Sequence, residues 1–165
     1  MTPYWLVAVK VALSAVLAGA VGLERELTGK PAGLRTHMLI AVGSALLTDL
    51  SLQIGPLFAG GSTAWDPGRI ASQIVPGVGF ICAGTILQAR GTVHGLTTAA
   101  GLWMASAIGM AVGATFYAQA VIGTVAVLII LAALRPVERW LVRQRPDETA
   151  ADTGYDAGAS PRPPA

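Results

Sequence analysis

The segment GLERELTGKPAGLRTHMLIAVGSALL, residues 22–47, places a short charged stretch between two long apolar runs. The first run covers residues 4–22 and the second covers residues 36–53. A helix needs about 20 mainly apolar residues to cross a bilayer. The segment therefore predicts a turn between two membrane-spanning helices. Its charged groups belong either to a solvated loop or to half of a polar site.

The composition of the whole chain favours a membrane protein. Of the 165 residues, 53% are hydrophobic and 12% are charged, whereas soluble domains carry about 25% charged residues. The net charge of +2 is too small to indicate nucleic-acid binding. The single cysteine, Cys82, cannot form an intrachain disulfide, and we expect it to pack as a small apolar residue.

Three further apolar windows cover residues 69–88, 97–117 and 118–134, with a tight turn expected near residues 117–119. We therefore expect an all-α polytopic membrane protein with about five transmembrane helices, in a transmembrane domain of residues 1–134. Residues 135–145 form a basic juxtamembrane segment. Residues 146–165 are expected to be a disordered tail, because they have too little apolar bulk to repay the entropy of ordering.

Basic residues are concentrated in segments that an odd number of helices brings to one side. They follow the first, third and fifth spans: Arg25, Lys30, Arg35, Arg90, Arg135, Arg139, Arg143 and Arg145. Cytoplasmic loops carry an excess of Lys and Arg. We therefore expect the N-terminus outside and the C-terminus in the cytoplasm.

Several residues of the two halves match at a separation of 62 positions, among them Gly33 with Gly95 and Ser44 with Ser106. Parallel duplications occur among transporters, and coincidence among common small residues is the alternative. Two repeated helical hairpins plus one helix are therefore a variant of the predicted fold.

Small residues and proline carry two further expectations. In the fourth span small residues recur at every fourth position and form a stripe on which a neighbouring backbone can pack closely: Gly101, Ala105, Gly109 and Gly113. In the third span Pro76, Gly77 and Gly79 lie mid-membrane, and proline removes a backbone donor. We expect a helix break there, which either flanks a binding site or is a packing kink.

Lys10 and Asp49 are charged residues inside the first two spans. Counted from the connecting loop at ~1.5 Å per residue, they lie at depths of ~18 and ~20 Å. An unpaired charge at that depth costs at least ~2.5–3.5 kcal/mol. We expect a Lys10–Asp49 ion pair, with Gln73 of the third span at comparable depth. The alternative is that Lys10 extends to the surface and Asp49 faces water.

A second polar cluster is expected at the cytoplasmic ends of the spans. It comprises Glu24, Arg25, Glu26, Lys30, Arg35, Thr36, His37, Arg90, His94, Thr97 and Thr98. Thr97 and Thr98 are N-cap candidates, and membrane histidines such as His37 tend to face polar interiors. A charged loop that follows the positive-inside bias is the alternative. The sequence shows no enzyme motif or metal-ligand pattern, and we expect no catalytic residue, metal or cofactor.

Two blocks of sequence carry a resemblance to a known family: GLERELTGKPAGLRTHMLIAVGSALLTDLS, residues 22–51, and DPGRIASQIVPGVGFICAGTILQARGTVHGLTTAAGLWMASAIGMAVG, residues 66–113. From about residue 15 to 115 the chain resembles the MgtC/SapB family of bacterial membrane proteins. The matching positions are Glu24, Arg25, Lys30, Arg35, Thr36, His37, the outer-loop residues Asp66 and Arg69, Gln73, Thr97, Thr98 and Trp103. Cys82 departs from the usual glycine. The chain looks like the shorter, SapB-like branch without the soluble C-terminal domain, so a virulence role is not carried over.

The resemblance implies a bacterial inner-membrane protein linked to growth at low magnesium. We expect a non-enzymatic protein that modulates another membrane complex, such as the F-type ATP synthase, or the membrane potential. The alternative is a transporter of Mg²⁺ or of another ion or small solute. The expected partners are the lipid bilayer and a membrane complex. A homo-oligomer is left open, and no nucleic acid is expected.

Overall fold

The computed structural model describes residues 2–58, 66, 68–89 and 92–143, and the side chains of residues 55–58, 70, 89, 135 and 137–143 lie outside this description. In the described ranges the order of elements is α1 (Tyr4–Leu27), α2 (Leu34–Phe58), α3 (Gly68–Ala71), α4 (Ile74–Ala83), β1 (Leu87–Ala89), β2 (Thr92–His94), α5 (Leu96–Gly113) and α6 (Tyr117–Arg143). The chain is therefore mostly helical, as its composition predicts.

Four of the described helices are long and apolar enough to cross a membrane, over Tyr4–Leu27, Leu34–Ile54, Leu96–Gly113 and Tyr117–Leu134. Ile74–Ala83 is a shorter apolar helix. The expectation of an all-α polytopic membrane protein is confirmed, with four long candidate spans and one shorter apolar helix among the described residues.

Helices α1, α2 and α5 pack against one another because small residues let their backbones approach. A Cβ added to Gly22 of α1 would lie 2.8 Å from the Cα of Leu34, and one added to Gly113 of α5 would lie 2.5 Å from the carbonyl oxygen of Ala45. The buried residues Ala18, Ala41 and Ala105 form a core cluster of alanines where these helices meet. The small-residue stripe of α5 thus packs within the chain.

The contacts between α2 and α5 fix their relative direction. Gly101 faces His37, and Gly113, further along α5, faces Ala45. The two helices therefore run parallel, and α1 runs antiparallel to both. We call the end where α1 finishes and α2 and α5 begin the loop end, and the opposite end the far end.

Helices α1 and α5 finish with the same pattern of hydrogen bonds. In α1 the N–H of Lys30 donates to the Arg25 carbonyl at 3.0 Å, and in α5 the N–H of Phe116 donates to the Ala111 carbonyl at 2.8 Å. This is the Schellman motif, which needs a left-handed residue. Gly29 supplies it with φ 64°, and Thr115 with φ 67°. The turn between α5 and α6 therefore lies at residues 114–116, and the expected position of 117–119 is wrong.

The third apolar window, residues 69–88, is not one helix. It contains the four-residue α3, a turn at Ser72 and Gln73, the ten-residue α4 and strand β1. A ten-residue helix is ~15 Å long at ~1.5 Å per residue, and so covers about half of a hydrocarbon core of ~30 Å. The expectation of a full third span is corrected accordingly.

The helix break in this window also lies at a different position from the one expected. Pro76 is in the first turn of α4, where a helix does not need its N–H. Gly77 and Gly79 lie inside the same helix. The break comes before them, at Ser72 and Gln73.

Helix α4 packs on the first half of α5. Cys82 donates its thiol hydrogen to the carbonyl of Ala99, with 3.2 Å between sulfur and oxygen. Ile74, Val78 and Leu102 complete the buried cluster around this contact. Cys82 is therefore a packing residue, as its setting in the sequence predicts.

A short antiparallel hairpin joins α4 to α5, with Leu87 opposite His94. Gly95 links β2 to α5 with φ 90°. A Cβ at this position would overlap the carbonyl group of Thr85, so only glycine fits. The hairpin places the start of α5 beside the end of α4.

The chain divides into two compact units, residues 1–129 and 130–165. In the first unit, α6 presents a buried stripe of Ala120, Thr124 and Val127. In the second, residues 130–143 are helical. The expected disordered tail, residues 146–165, lies outside the described residues.

The match at 62 positions agrees with the structure in two respects. Helix α2 begins at Leu34 and α5 at Leu96. The hydroxyls of Ser44 and Ser106, a matched pair, bond to each other at 3.0 Å. The second hairpin differs from the first because α3 and α4 stand where the first half has one long helix.

Candidate functional site

A buried ion pair joins three helices at the far end. The ammonium of Lys10 lies 2.5 Å from Oδ1 of Asp49 and donates to the carbonyl of Gly113 at 2.8 Å. Both charged residues are 4% exposed. Carbonyls in the last turn of a helix lack helical partners and carry the negative end of its dipole. The expected pair is thus present, and the end of α5 adds to its stabilisation.

Gln53 extends this network toward the N-terminus. Its side-chain amide donates to Oδ2 of Asp49, and its carbonyl oxygen accepts the N–H of Thr2 at 2.9 Å. Gln53 follows Asp49 by four positions, the spacing at which helical side chains meet. Gln73, which depth alone suggested, is exposed and takes no part in these bonds.

Hydroxyl groups occupy the middle of the three-helix packing. Ser14, Ser44, Thr48 and Ser106 are all buried. Ser14 donates to the Val11 carbonyl of its own helix at 2.9 Å, whereas Ser44 and Ser106 bond across α2 and α5. The hydroxyl oxygen of Thr48 is buried and has no hydrogen-bond partner among the described residues.

His37 is fully buried at the loop end. Its Nδ1 lies 3.0 Å from the carbonyl oxygen of Gly33. A carbonyl only accepts, so Nδ1 carries the hydrogen, and Nε2 of the neutral ring presents a lone pair. Nε2 has no partner in the part of the chain that the structure describes, and it would lie 3.3 Å from a Cβ on Gly101. Glycines of α1 and α5 therefore make the room that the ring occupies.

The end of α1 carries three charged residues, of which Arg25 lies near this histidine. The guanidinium of Arg25 lies 3.9 Å from a carboxylate oxygen of Glu24, and both side chains are largely buried. Glu26 contacts the next helix, because its Oε2 accepts a hydrogen bond from the N–H of Leu34 at 2.8 Å. It thereby caps the first turn of α2 from the preceding helix.

The other members of the expected cytoplasmic cluster are spread out. Lys30, Arg35, His94 and Thr97 are exposed, Thr36 is half-buried, Thr98 is buried, and Arg90 lies outside the described residues. The N-cap of α5 is Gly95, without a side-chain bond, so the expectation of a cap at Thr97 or Thr98 is wrong. Among the described members, Arg25 lies beside Glu24 and near His37, and Glu26 accepts a hydrogen bond from the start of α2.

The two outer-loop residues are exposed and define a local turn. Oδ1 of Asp66 accepts the N–H of Gly68 at 2.8 Å, just before Arg69. In the described residues no three His, Cys, Asp or Glu side chains come close enough to hold a metal ion together.

We expect Glu26→Gln to destabilise the start of α2. The amide weakens a charge-assisted hydrogen bond, and loss of a cap costs about 0.5–2 kcal/mol. Gly33→Ala should have a similar effect, because a Cβ there would lie 2.6 Å from Oε2 of Glu26 and would displace this flexible carboxylate from the N–H of Leu34. Thermal unfolding of the purified variants in detergent measures both effects. The exposed Lys30→Gln is the control, and equal melting temperatures for all the proteins would contradict the capping role.

The fold and the site together define the class of this protein. The chain is a polytopic helical membrane protein whose central helices enclose charged and polar side chains. The chain belongs to the MgtC family, whose family model matches residues 11–140. This finding confirms the resemblance drawn from the two sequence blocks.

Relatives with different names share the family sequence. "Putative magnesium transporter YhiD" of Escherichia coli (strain K12) is 44% identical over 124 residues, which cover 74% of this chain and 58% of the relative. "Protein SapB" of Bacillus subtilis (strain 168) is 39% identical over 137 residues, which cover 82% of this chain and 57% of the relative. "Protein MgtC" of Brucella abortus (strain 2308) is 41% identical over 122 residues, which cover 74% of this chain and 48% of the relative. The chain spans about half the length of these relatives, and no solved structure matches it.

Proposed function

We propose that this chain is a non-enzymatic inner-membrane protein that supports growth at low Mg²⁺ by modulating another membrane complex, such as the F-type ATP synthase, or the membrane potential. One observation carries the proposal: the buried charges of Lys10 and Asp49 neutralise each other and bind α1, α2 and α5 together. Ionisable groups used in this way stabilise a fixed unit of helices. Such a unit is suited to docking against another membrane protein.

The surroundings of this unit favour the same proposal. Apolar side chains of α6 such as Ile122 and Ile129 are exposed and are available to lipid or to a partner. The basic segments follow the first, third and fifth sequence windows, and they support an orientation with the N-terminus outside and the C-terminus in the cytoplasm.

Transport of Mg²⁺ or another ion is the second candidate. It is favoured by the name of the Escherichia coli relative and by the half-length α4. Short or interrupted helices in membranes often flank transport sites. In that case the turn at Ser72 and Gln73 would line the path.

Three measurements test the proposal and separate it from transport. The chain should restore growth at low Mg²⁺ to a bacterium that lacks its own MgtC-family protein, and a stoichiometric membrane partner should co-purify with it. Purified chain in vesicles should show no saturable Mg²⁺ uptake. Saturable uptake by the chain alone would overturn the regulatory proposal and establish the transport one.

A further inference from the structure

Buried polar side chains recur along the length of the three-helix unit, and the alanine cluster of Ala18, Ala41 and Ala105 lies between His37 and Ser44. We call these polar side chains the polar seam and define it as Lys10, Ser14, His37, Ser44, Thr48, Asp49 and Ser106. On α2 the members His37, Ser44 and Thr48 are spaced by seven and four positions, so they share one helix face. Titratable groups stand at the two ends of the seam, and hydroxyls lie between them.

The seam extends over much of the membrane. His37 and Asp49 are 12 positions apart on α2, which corresponds to ~18 Å at ~1.5 Å per residue. The hydrocarbon core measures ~30 Å. Polar and ionisable groups at such depths are expensive, and they commonly mark ion or proton pathways.

The packing along the seam is too close for a hydrated ion. Gly109 lies against the backbone of Ala41, and a Cβ on it would overlap the Ala41 carbonyl. One turn further, Gly113 approaches the Ala45 backbone in the same way. A proton is the one cation that needs no open pore, because it moves by exchange between neighbouring hydrogen-bonding groups.

Two polar atoms of the seam have no partner in the described residues, namely Oγ1 of Thr48 and Nε2 of His37. Thr48 stands between Asp49 and Ser44, and His37 ends the row. Buried polar atoms left without partners usually hold ordered water. Waters at these two atoms would extend the hydroxyl pair of Ser44 and Ser106 toward the titratable ends.

We propose that the polar seam conducts protons between the Lys10–Asp49 pair and His37. The pair takes up one proton at the far end, and each hydroxyl or water accepts a proton while it releases another. Nε2 of His37 receives the last proton and releases it at the loop end, which returns the ring to its neutral form. One proton leaves for each that enters, and no electron is transferred. The inference rests on the membrane-potential part of the proposed function and names the ion involved.

The test measures proton flux with the purified full chain in vesicles that contain a pH-sensitive dye. A potassium gradient with valinomycin sets the membrane potential. Wild-type vesicles should acidify or alkalinise, according to the sign of the potential, clearly faster than protein-free vesicles. His37→Gln and the double variant Ser44→Ala/Ser106→Ala should reduce the flux to the protein-free level.

Thr124→Ala is the matched control. Thr124 is equally buried, but its hydroxyl donates to the Ala120 carbonyl of its own helix, away from the seam. This variant should keep the wild-type flux. Size-exclusion profiles and melting temperatures identify the seam variants that fold. Thr48→Ser is a milder change that keeps a hydroxyl group, and it should keep the proton flux.

Wild-type flux at the protein-free level would overturn the inference, and so would full flux in folded His37→Gln together with the serine double variant. The proposed function is tested apart from it by growth at low Mg²⁺. Growth restored by wild type whose vesicles show no proton flux would reject proton conduction and keep the proposed regulator. Proton flux without restored growth would support the seam and reject the proposed function.

Discussion

Asp49→Ala will lower the stability of the protein more than almost any other single substitution. Lys10 is 4% exposed, and the change leaves its ammonium with the Gly113 carbonyl as the remaining bonded partner among the described residues. Removing one member of a buried ion pair costs about 3–5 kcal/mol, because the remaining charge is desolvated and uncompensated. We expect a large drop in melting temperature and in the yield of folded protein from membranes.

The double variant Lys10→Met/Asp49→Leu provides the decisive comparison. Apolar replacement of both partners of a buried pair is often neutral or stabilising, so it should recover most of the lost stability. Lys30→Met, at an exposed position, controls for the loss of a positive charge. Additive losses from Lys10→Met and Asp49→Leu would show that the two side chains do not act as a pair.

The pairing of Lys10 with Asp49 could be predicted from the sequence because helix geometry fixes depth and the membrane penalises an unpaired charge. Depth alone could not choose between glutamines. Gln53 and Gln73 are both near that depth, but only Gln53 is one helical turn from Asp49. The spacing of four positions was the signal available for the correct choice.

The third window shows why apolar length is an insufficient guide. Its residues are apolar enough for a span, yet a turn at Ser72 and Gln73 separates α3 from α4. The sequence predicts the break at Pro76, Gly77 and Gly79, but Pro76 is tolerated in the first turn of α4. The turn after α5 was equally hidden, because Thr115 rather than glycine adopts the left-handed conformation there.

The role of His37 also depends on contacts that no local pattern reveals. A histidine near the start of a span predicts a polar setting, and the structure confirms burial at the loop end. The bond from Nδ1 to Gly33 follows from the spacing of four positions in a helix. The room for the ring comes from Gly22 and Gly101 on two other helices, and only the tertiary structure brings these glycines together.

Gly109→Ala should be the most damaging of the conservative glycine substitutions in the described helices. The new methyl group would overlap the Ala41 carbonyl, which belongs to the backbone of α2 and cannot rotate away. Overpacking of a well-packed interior costs about 1–3 kcal/mol, and separation of α2 from α5 would also strain the bond between Lys10 and the Gly113 carbonyl. Melting temperature in detergent should fall clearly below that of wild type.

Gly43→Ala is the matched control, because its melting temperature should shift in the opposite direction or not at all. Gly43 lies in α2, but a Cβ there meets no atom within 4 Å. Alanine is favoured over glycine inside a helix by up to about 1 kcal/mol, so Gly43→Ala should leave the melting temperature unchanged or raise it. Opposite shifts for the two variants would establish close backbone contact between α2 and α5. Equal shifts would mean that helix propensity, and not the approach of the two backbones, decides the stability at Gly109.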